Sequence, residues 1–249
     1  MNFLPDYSIT NWMLLSLAGF CIGMSKAGLK GVDMLNITIM AIVLGSKSST
    51  GVVLPLLCVA DFLAVVYYRR HVNWLHFRKL APWITAGILI GVLLGQDMNE
   101  LYFKKVMAVI IVLAVIIMIF LEVRKSLVLP SNKLFAATLG LVAGITTMLG
   151  NLGGSFANIY FLAMRFPKNG FIGTAAWLFF CVNLFKLPFQ FFAWHNINAS
   201  TLSTDLALIP ALLLGFWAGI KIVAMIHDDG YRKIVIAMTL IGAIFIFLR

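Results

Sequence analysis

An all-α integral membrane protein, built from two inverted-topology repeats of about five helical segments each, is the fold class this sequence predicts. Three observations predict it. The 249 residues are 62% hydrophobic and only 11% charged, with a mean hydropathy of +1.00, whereas soluble domains carry about 25% charged residues. The apolar residues fall in continuous runs and not in the alternation a transmembrane β-barrel requires. Landmark residues also recur at a nearly constant separation. Gly19 and Gly144, Gly28 and Gly153, His71 and His195, Pro82 and Pro210, Gly91 and Gly219, and Tyr102 and Tyr231 lie 124–129 residues apart, in order. Ordered landmarks with so little drift are the signature of a repeat.

Taken along the chain, the first half has apolar runs at 11–25, 31–45, 49–68, 80–96 and 102–121, and the second at 134–149, 154–165, 170–194, 203–226 and 232–248. A single membrane domain, 1–249, therefore divides into a first repeat at 11–122 and a second at 134–248. A spanning helix needs about 20 residues. The runs 49–68, 102–121, 170–194 and 203–226 are long enough. The first two runs of each half are shorter, and each pair predicts broken or re-entrant half-helices opening its repeat. Five segments per half is an odd number, so the second half should be inverted.

Loop charge tests the inversion. Arg69, Arg70, Arg78 and Lys79, then Arg124, Lys125 and Lys133, then Arg165 and Lys168, then Arg232 and Lys233 all fall on one side. Lys47, Lys104 and Lys105 fall on the other, beside Asp97 and Glu100. Basic loops stay cytoplasmic, which puts both termini on the non-cytoplasmic side. The net charge of +10 thus reports membrane orientation and not nucleic-acid binding. The stripe Gly87, Gly91 and Gly95, echoed by Gly215 and Gly219, has two readings: close packing within one chain, or the seam of a homodimer.

The stretch Ser25-Lys26-Ala27-Gly28-Leu29-Lys30-Gly31-Val32-Asp33 places charge and glycine between two short apolar runs. Charge at membrane depth is costly and marks function by default. Broken backbone there is tolerated only where protein or a wet cavity surrounds it. The second half has its own break at Gly150-Asn151-Leu152-Gly153-Gly154-Ser155. A helix restarting after each break would aim free N–H groups and the positive end of its dipole at an anion. Substrate-binding candidates are therefore Ser25, Lys26, Gly28, Lys30 and Gly31 from the first break. From the second they are Asn151, Gly153, Gly154, Ser155 and Asn158. Thr50 and Thr174 begin the long helices beside the breaks and are placed to donate to the same ligand. Asn183 nearly matches Asp61 in the repeat, and Lys186, one turn on, faces the bundle interior or reaches the interface.

Two acids have open roles. Asp33 falls in the first turn of the restarted helix, where a carboxylate complements the dipole; the alternative is proton coupling. Asp61 lies near mid-bilayer, where it pairs with a lysine or carries a proton. No nucleophile with an acid–base partner, no dinucleotide or ATP fingerprint and no metal-ligand spacing appears, so neither enzyme activity, nor a cofactor, nor a metal is expected, and any driving force is a gradient. Cys21, Cys58 and Cys181 lie far apart in apolar runs and read as buried thiols.

At these residues the chain resembles the sulfite exporter TauE/SafE family, also called TSUP. The resemblance rests on the glycine-rich hairpins Gly23–Gly31 and Gly144–Gly154 and on Thr50-Gly51 and Gly173-Thr174. The basic loop Tyr67-Tyr68-Arg69-Arg70-His71 and the G-x-x-x-G segment after Pro82 complete it. Many members have three consecutive glycines and then a proline where this chain has Gly28-Leu29-Lys30-Gly31 and Asn36. The resemblance implies transport of sulfite, thiosulfate or a small organosulfonate across the bacterial inner membrane. The residues themselves imply an anion, moved by alternating access, with or without protons. An anion channel or a carboxylate transporter is the alternative; a membrane enzyme or assembly factor with no solute path is a further one.

Overall fold

The computed structural model describes residues 5–123, 133–227, 230–231 and 233–238, and these contain helices and connections but no strand. The helices are α1 (Ile9–Lys26), α2 (Asp33–Leu44), α3 (Ser48–Tyr68), α4 (Trp74–Gln96), α5 (Glu100–Val123), α6 (Lys133–Gly150), α7 (Gly153–Ala163), α8 (Lys168–Pro188) and α9 (Ala199–Met225). A 3-10 turn at Arg69–His71 follows α3, and a π-helical turn at Phe189–Ala193 extends α8. Arg124, Lys125, Arg232 and most of the expected segment 232–248 lie outside the described residues.

Among the described residues five helices are long and apolar enough to cross a membrane: Ser48–His71, Trp74–Gln96, Lys133–Gly150, Lys168–Ala193 and Ala199–Met225. The molecule's outer face is correspondingly apolar, with Leu93, Leu214, Trp217 and Phe192 exposed. In water such a face would be a liability; here it is the lipid-facing surface.

Three expectations about the elements change. The first helix of each hairpin is longer than its apolar run: α1 and α6 each have 18 residues, about 27 Å of helix. Ser8 caps α1 by accepting from the Asn11 N–H, and the helix carries Ser25 and Lys26 in its last turn, so these two precede the break. Only α2 and α7, with 12 and 11 residues, are too short to span. The run expected at 80–96 begins at Trp74, because the Asn73 side chain caps α4 at the His76 N–H and Pro82 is carried inside the helix. Packed neighbours let a membrane helix tolerate such a proline. Cys181 is exposed on the outer face, while Cys21 is buried.

Small residues fix how the helices assemble. A Cβ added to Gly23 would sit 2.1 Å from the Leu212 carbonyl oxygen, and one added to Gly215 would sit 2.0 Å from that of Phe20. In the other half a Cβ on Gly144 would sit 2.1 Å from the Ile84 oxygen, and one on Gly87 2.2 Å from that of Leu141. So α1 packs on α9 and α6 packs on α4, each pair at backbone contact. The glycine stripe serves packing within the chain.

These contacts exchange between halves as two like units around a two-fold axis would exchange them. The long helices α3 and α8 lie against each other and run in opposite directions. Gln190, just past α8, donates to Thr50 Oγ1 at the start of α3 (3.2 Å), and the Asn73 N–H, just past α3, donates to Thr174 Oγ1 near the start of α8 (2.9 Å). The arrangement is compatible with inverted repeats.

Candidate functional site

The first break owes its shape to two glycines. Gly28 and Gly31 have φ of +120° and +97°, the left-handed region that L side chains rarely adopt. The chain leaves α1, turns back, and enters α2 at Asp33. The freed backbone is held by tyrosines from elsewhere: Tyr68 Oη donates to the Ala27 oxygen (2.8 Å) and Tyr231 Oη to that of Gly28 (2.6 Å). The second break is tighter. Asn151, with φ of +57°, turns the chain between α6 and α7, a conformation asparagine tolerates.

The two breaks meet. Asp33 Oδ1 accepts the Gly31 N–H at 2.7 Å. Its other oxygen lies 3.0 Å from where a Cβ on Gly154 would stand. One carboxylate therefore sits between the starts of α2 and α7, in the place both helix dipoles favour for negative charge. Gly154 is required for room and not for backbone freedom.

Beside Asp33 the breaks enclose a cavity of about 30 Å³, a few water-sized positions. Ser25, Lys26, Lys30 and Asp33 line it from the first hairpin, and Asn151, Gly154 and Asn158 from the second. Asn183 of α8 closes one side with Phe179, one turn earlier. Eight of the residues singled out in the sequence are thus brought to one cavity.

Electrostatics divide the lysines. Lys26 Nζ lies 2.6 Å from Asp61 Oδ1 and 5.1 Å from the centre of the Phe179 ring. Asn183 Nδ2 donates to the other Asp61 oxygen at 2.7 Å. Asp61 thus pairs with a lysine, one of its two expected roles. Lys186 is fully buried, which settles that it faces the interior. Its Nζ donates to Asn151 Oδ1 at 2.5 Å and to Thr147 Oγ1 at 3.3 Å. Among the described residues Lys26–Asp61 is the one ion pair, so Lys186 and the buried Lys30 each lack a carboxylate at contact.

The remaining candidates sit elsewhere. Thr174 is bonded to Asn73 at the far end of α3 and α8 from Thr50, so the two threonines do not serve one ligand. The antiparallel packing that makes them repeat-equivalent is what separates them. Thr50 Oγ1 donates to the Lys47 oxygen and accepts from Gln190. Gly28, Gly31, Gly153 and Ser155 shape the breaks without lining the cavity; a Cβ on Gly153 would strike the Ala143 oxygen at 2.6 Å.

The sequence reading missed Asn36, Thr147 and Phe179 as lining residues, and Gln190 behind them. Asn36 was legible: it precedes Asn158 by the 122 residues that separate Asp61 from Asn183. Thr147 and Phe179 each stand four residues before a recognised polar residue, on the same helix face. Gln190 is turned inward by the π-helical turn, which nothing local in the sequence announces.

Among the described residues no group of three or more His, Cys, Asp or Glu side chains gathers at metal-binding range. A family model described as Sulfite exporter TauE/SafE matches residues 15–246. No curated protein and no solved structure matches the chain.

Proposed function

The chain belongs to the sulfite exporter TauE/SafE family, and from that premise we propose that it moves a small sulfur-containing anion (sulfite, thiosulfate or an organosulfonate) across the membrane. The binding place is the cavity between the breaks. What carries this reading is Lys186, fully buried with only neutral oxygens at contact. A buried charge without a partner is strongly unfavourable, and an anion in the adjoining cavity relieves it. Lys30 supports the reading from the opposite wall. At about 30 Å³ the cavity is smaller than such an anion, so the hairpins must part to admit it.

Transport proceeds by alternating access, with α1–α2 and α6–α7 as the elements that open and close around the anion. The two repeats are inverted, both termini are non-cytoplasmic, and the membrane is the bacterial inner membrane. Of the two acids singled out in the sequence, Asp33 is the one left for protein-borne proton coupling, since Asp61 is held by Lys26 and Asn183.

The test is thermal unfolding of the purified protein in detergent with sulfite, thiosulfate, sulfoacetate, taurine, sulfate and acetate, followed by counterflow in proteoliposomes. A ligand at 100 times its Kd adds about 2.7 kcal/mol of stability. Stabilisation and counterflow by a sulfur oxyanion are expected. Acetate alone would point to carboxylate transport, and current without saturation to a channel.

A further inference from the structure

The substrate class can be narrowed, on the footing of the transport reading, by two independent features of the cavity. The first is formal charge. Lys26, Lys30 and Asp33 line the cavity. Lys186 stands behind its wall, bonded to the lining residues Thr147 and Asn151, and Asp61 stands behind Lys26 and Asn183, so three lysines face two carboxylates. Lys26 and Asp61 neutralise each other at 2.6 Å. Asp33 offsets one of the remaining cations, and of these five groups a single formal positive charge is left at the cavity. A singly charged anion completes this balance; a dianion would leave an unmatched negative charge in a medium that screens it poorly.

The same balance is built into the repeat with its polarity reversed. Lys26 ends α1 and Asn151 follows directly on α6, 125 residues later; Lys186, one turn beyond the Asn183 that nearly matches Asp61, lies 125 residues after Asp61. In the first repeat the hairpin supplies the cation and the long helix the acceptor, Lys26 to Asp61. In the second the long helix supplies the cation and the hairpin the acceptor, Lys186 to Asn151. Because that second acceptor is a neutral amide, its cation stays uncompensated.

The second feature is unpartnered acceptors: the Oδ1 atoms of the lining residues Asn36, Asn158 and Asn183 are buried with no hydrogen-bond partner among the described residues, and of these three Asn183 is the one whose amide a neighbouring carboxylate orients. Asp61, ionised beside Lys26, accepts hydrogen bonds only. Asn183 must therefore turn its Nδ2 toward Asp61, as observed at 2.7 Å. Its Oδ1 is then left buried at the cavity with no hydrogen-bond partner among the described residues. A fully deprotonated oxyanion offers that oxygen only lone pairs. An anion that keeps one O–H or N–H donates to it.

We propose that the cavity selects a singly charged oxyanion bearing a hydrogen-bond donor, the monoprotonated form of a dibasic acid. Its charged oxygens face Lys30 and the Thr147–Asn151 wall in front of Lys186, and its donor faces Asn183 Oδ1. A sulfite-type substrate then binds as hydrogen sulfite and brings its own proton, with no protein carboxylate required to titrate.

Binding to the purified full-length protein in detergent, with three tetrahedral probes of similar size, tests this. Hydrogen methylphosphonate, held below its second pKa, has one charge and an O–H. Methanesulfonate has one charge and no donor; sulfate has two charges and no donor. We expect hydrogen methylphosphonate to bind about tenfold tighter than methanesulfonate, and methanesulfonate tighter than sulfate, a tenfold step being the scale of one well-made interaction. Asp33→Asn keeps an acceptor for the Gly31 N–H and raises the excess charge to two. It should shift the sulfate-to-methanesulfonate affinity ratio toward sulfate by about tenfold. Should that variant not fold, the ranking in the unaltered protein decides alone. Sulfate binding as tightly as either monoanion, or methanesulfonate matching hydrogen methylphosphonate, overturns the inference and leaves the anion site standing. Binding of no oxyanion at all, sulfite and thiosulfate included, overturns the transport reading and this inference with it.

Discussion

Lys26 and Lys186 are both buried ammonium groups within reach of one cavity, yet their surroundings assign them opposite energetic roles. Lys26 has a carboxylate at 2.6 Å. Removing one partner of a buried pair costs about 3–5 kcal/mol, because it strands the other charge. Asp61→Leu should therefore lower the unfolding temperature sharply, and adding Lys26→Met should restore much of it; thermal unfolding of the two single variants and the double variant measures the coupling. Lys186 has only Asn151 and Thr147, so its charge opposes folding when no ligand is bound. Lys186→Met should hold or raise the unfolding temperature while weakening anion affinity about tenfold or more, read by ligand-induced stabilisation. Gly154 gives a third test at this scale. An added Cβ would approach Asp33 Oδ2 at 3.0 Å and displace the carboxylate shared by the two helix starts. Gly154→Ala should fold and bind anion more weakly, with the change seen in titration and little in melting.

Among the elements, two helix pairs carry the assembly, and both are held at backbone contact. There is no hydrophobic drive between helices in lipid, so close packing of small residues takes its place. The fit is tight enough that the next-larger side chain has nowhere to go. Gly144→Val would put side-chain atoms against the Ile84 carbonyl, where the Cβ alone comes within 2.1 Å. The neighbouring atom is backbone and cannot swing aside. We expect loss of folded protein in Gly144→Val and, by the mirrored contact with the Phe20 oxygen, in Gly215→Val. Leu93→Ala, on the exposed face of α4, should leave the yield unchanged. Size-exclusion profiles of detergent extracts compare the three. The short helices α2 and α7 act differently: their restarts, not their lateral faces, make the site.

At the scale of the molecule, loop charge predicts the sidedness. Single cysteines at Arg70 and at Asp97, in a background lacking Cys21, Cys58 and Cys181, should be labelled by an impermeant thiol reagent from opposite sides of the membrane, with Arg70 reached only from the cytoplasm. Labelling of both from one side would refute the crossing of α4 and the sidedness read from loop charge. The helical membrane class, the paired breaks and the glycine-lined contacts were legible because each is written in short-range pattern: hydropathy over a turn or two, glycine at fixed spacing, landmarks repeated 124–129 residues on. Helix ends were less legible, since a capping residue such as Ser8 or Asn73 extends a helix beyond its apolar run. The site was legible in part. Sequence placed charge at the first break and neutral donors at the second, which the cavity keeps. Only the tertiary structure decided which lysine is cancelled and which is left, that Asp33 stands between both helix starts, and that Thr50 and Thr174, each at the start of its helix, lie at opposite ends of the packed pair. The reason is physical. Hydropathy and backbone breaks are set by each segment against solvent or lipid, so a linear string holds them. The net charge of a buried site is set by distances of a few ångströms between residues such as Lys26 and Asp61, or Asn151 and Lys186, and those distances exist only once the helices are packed.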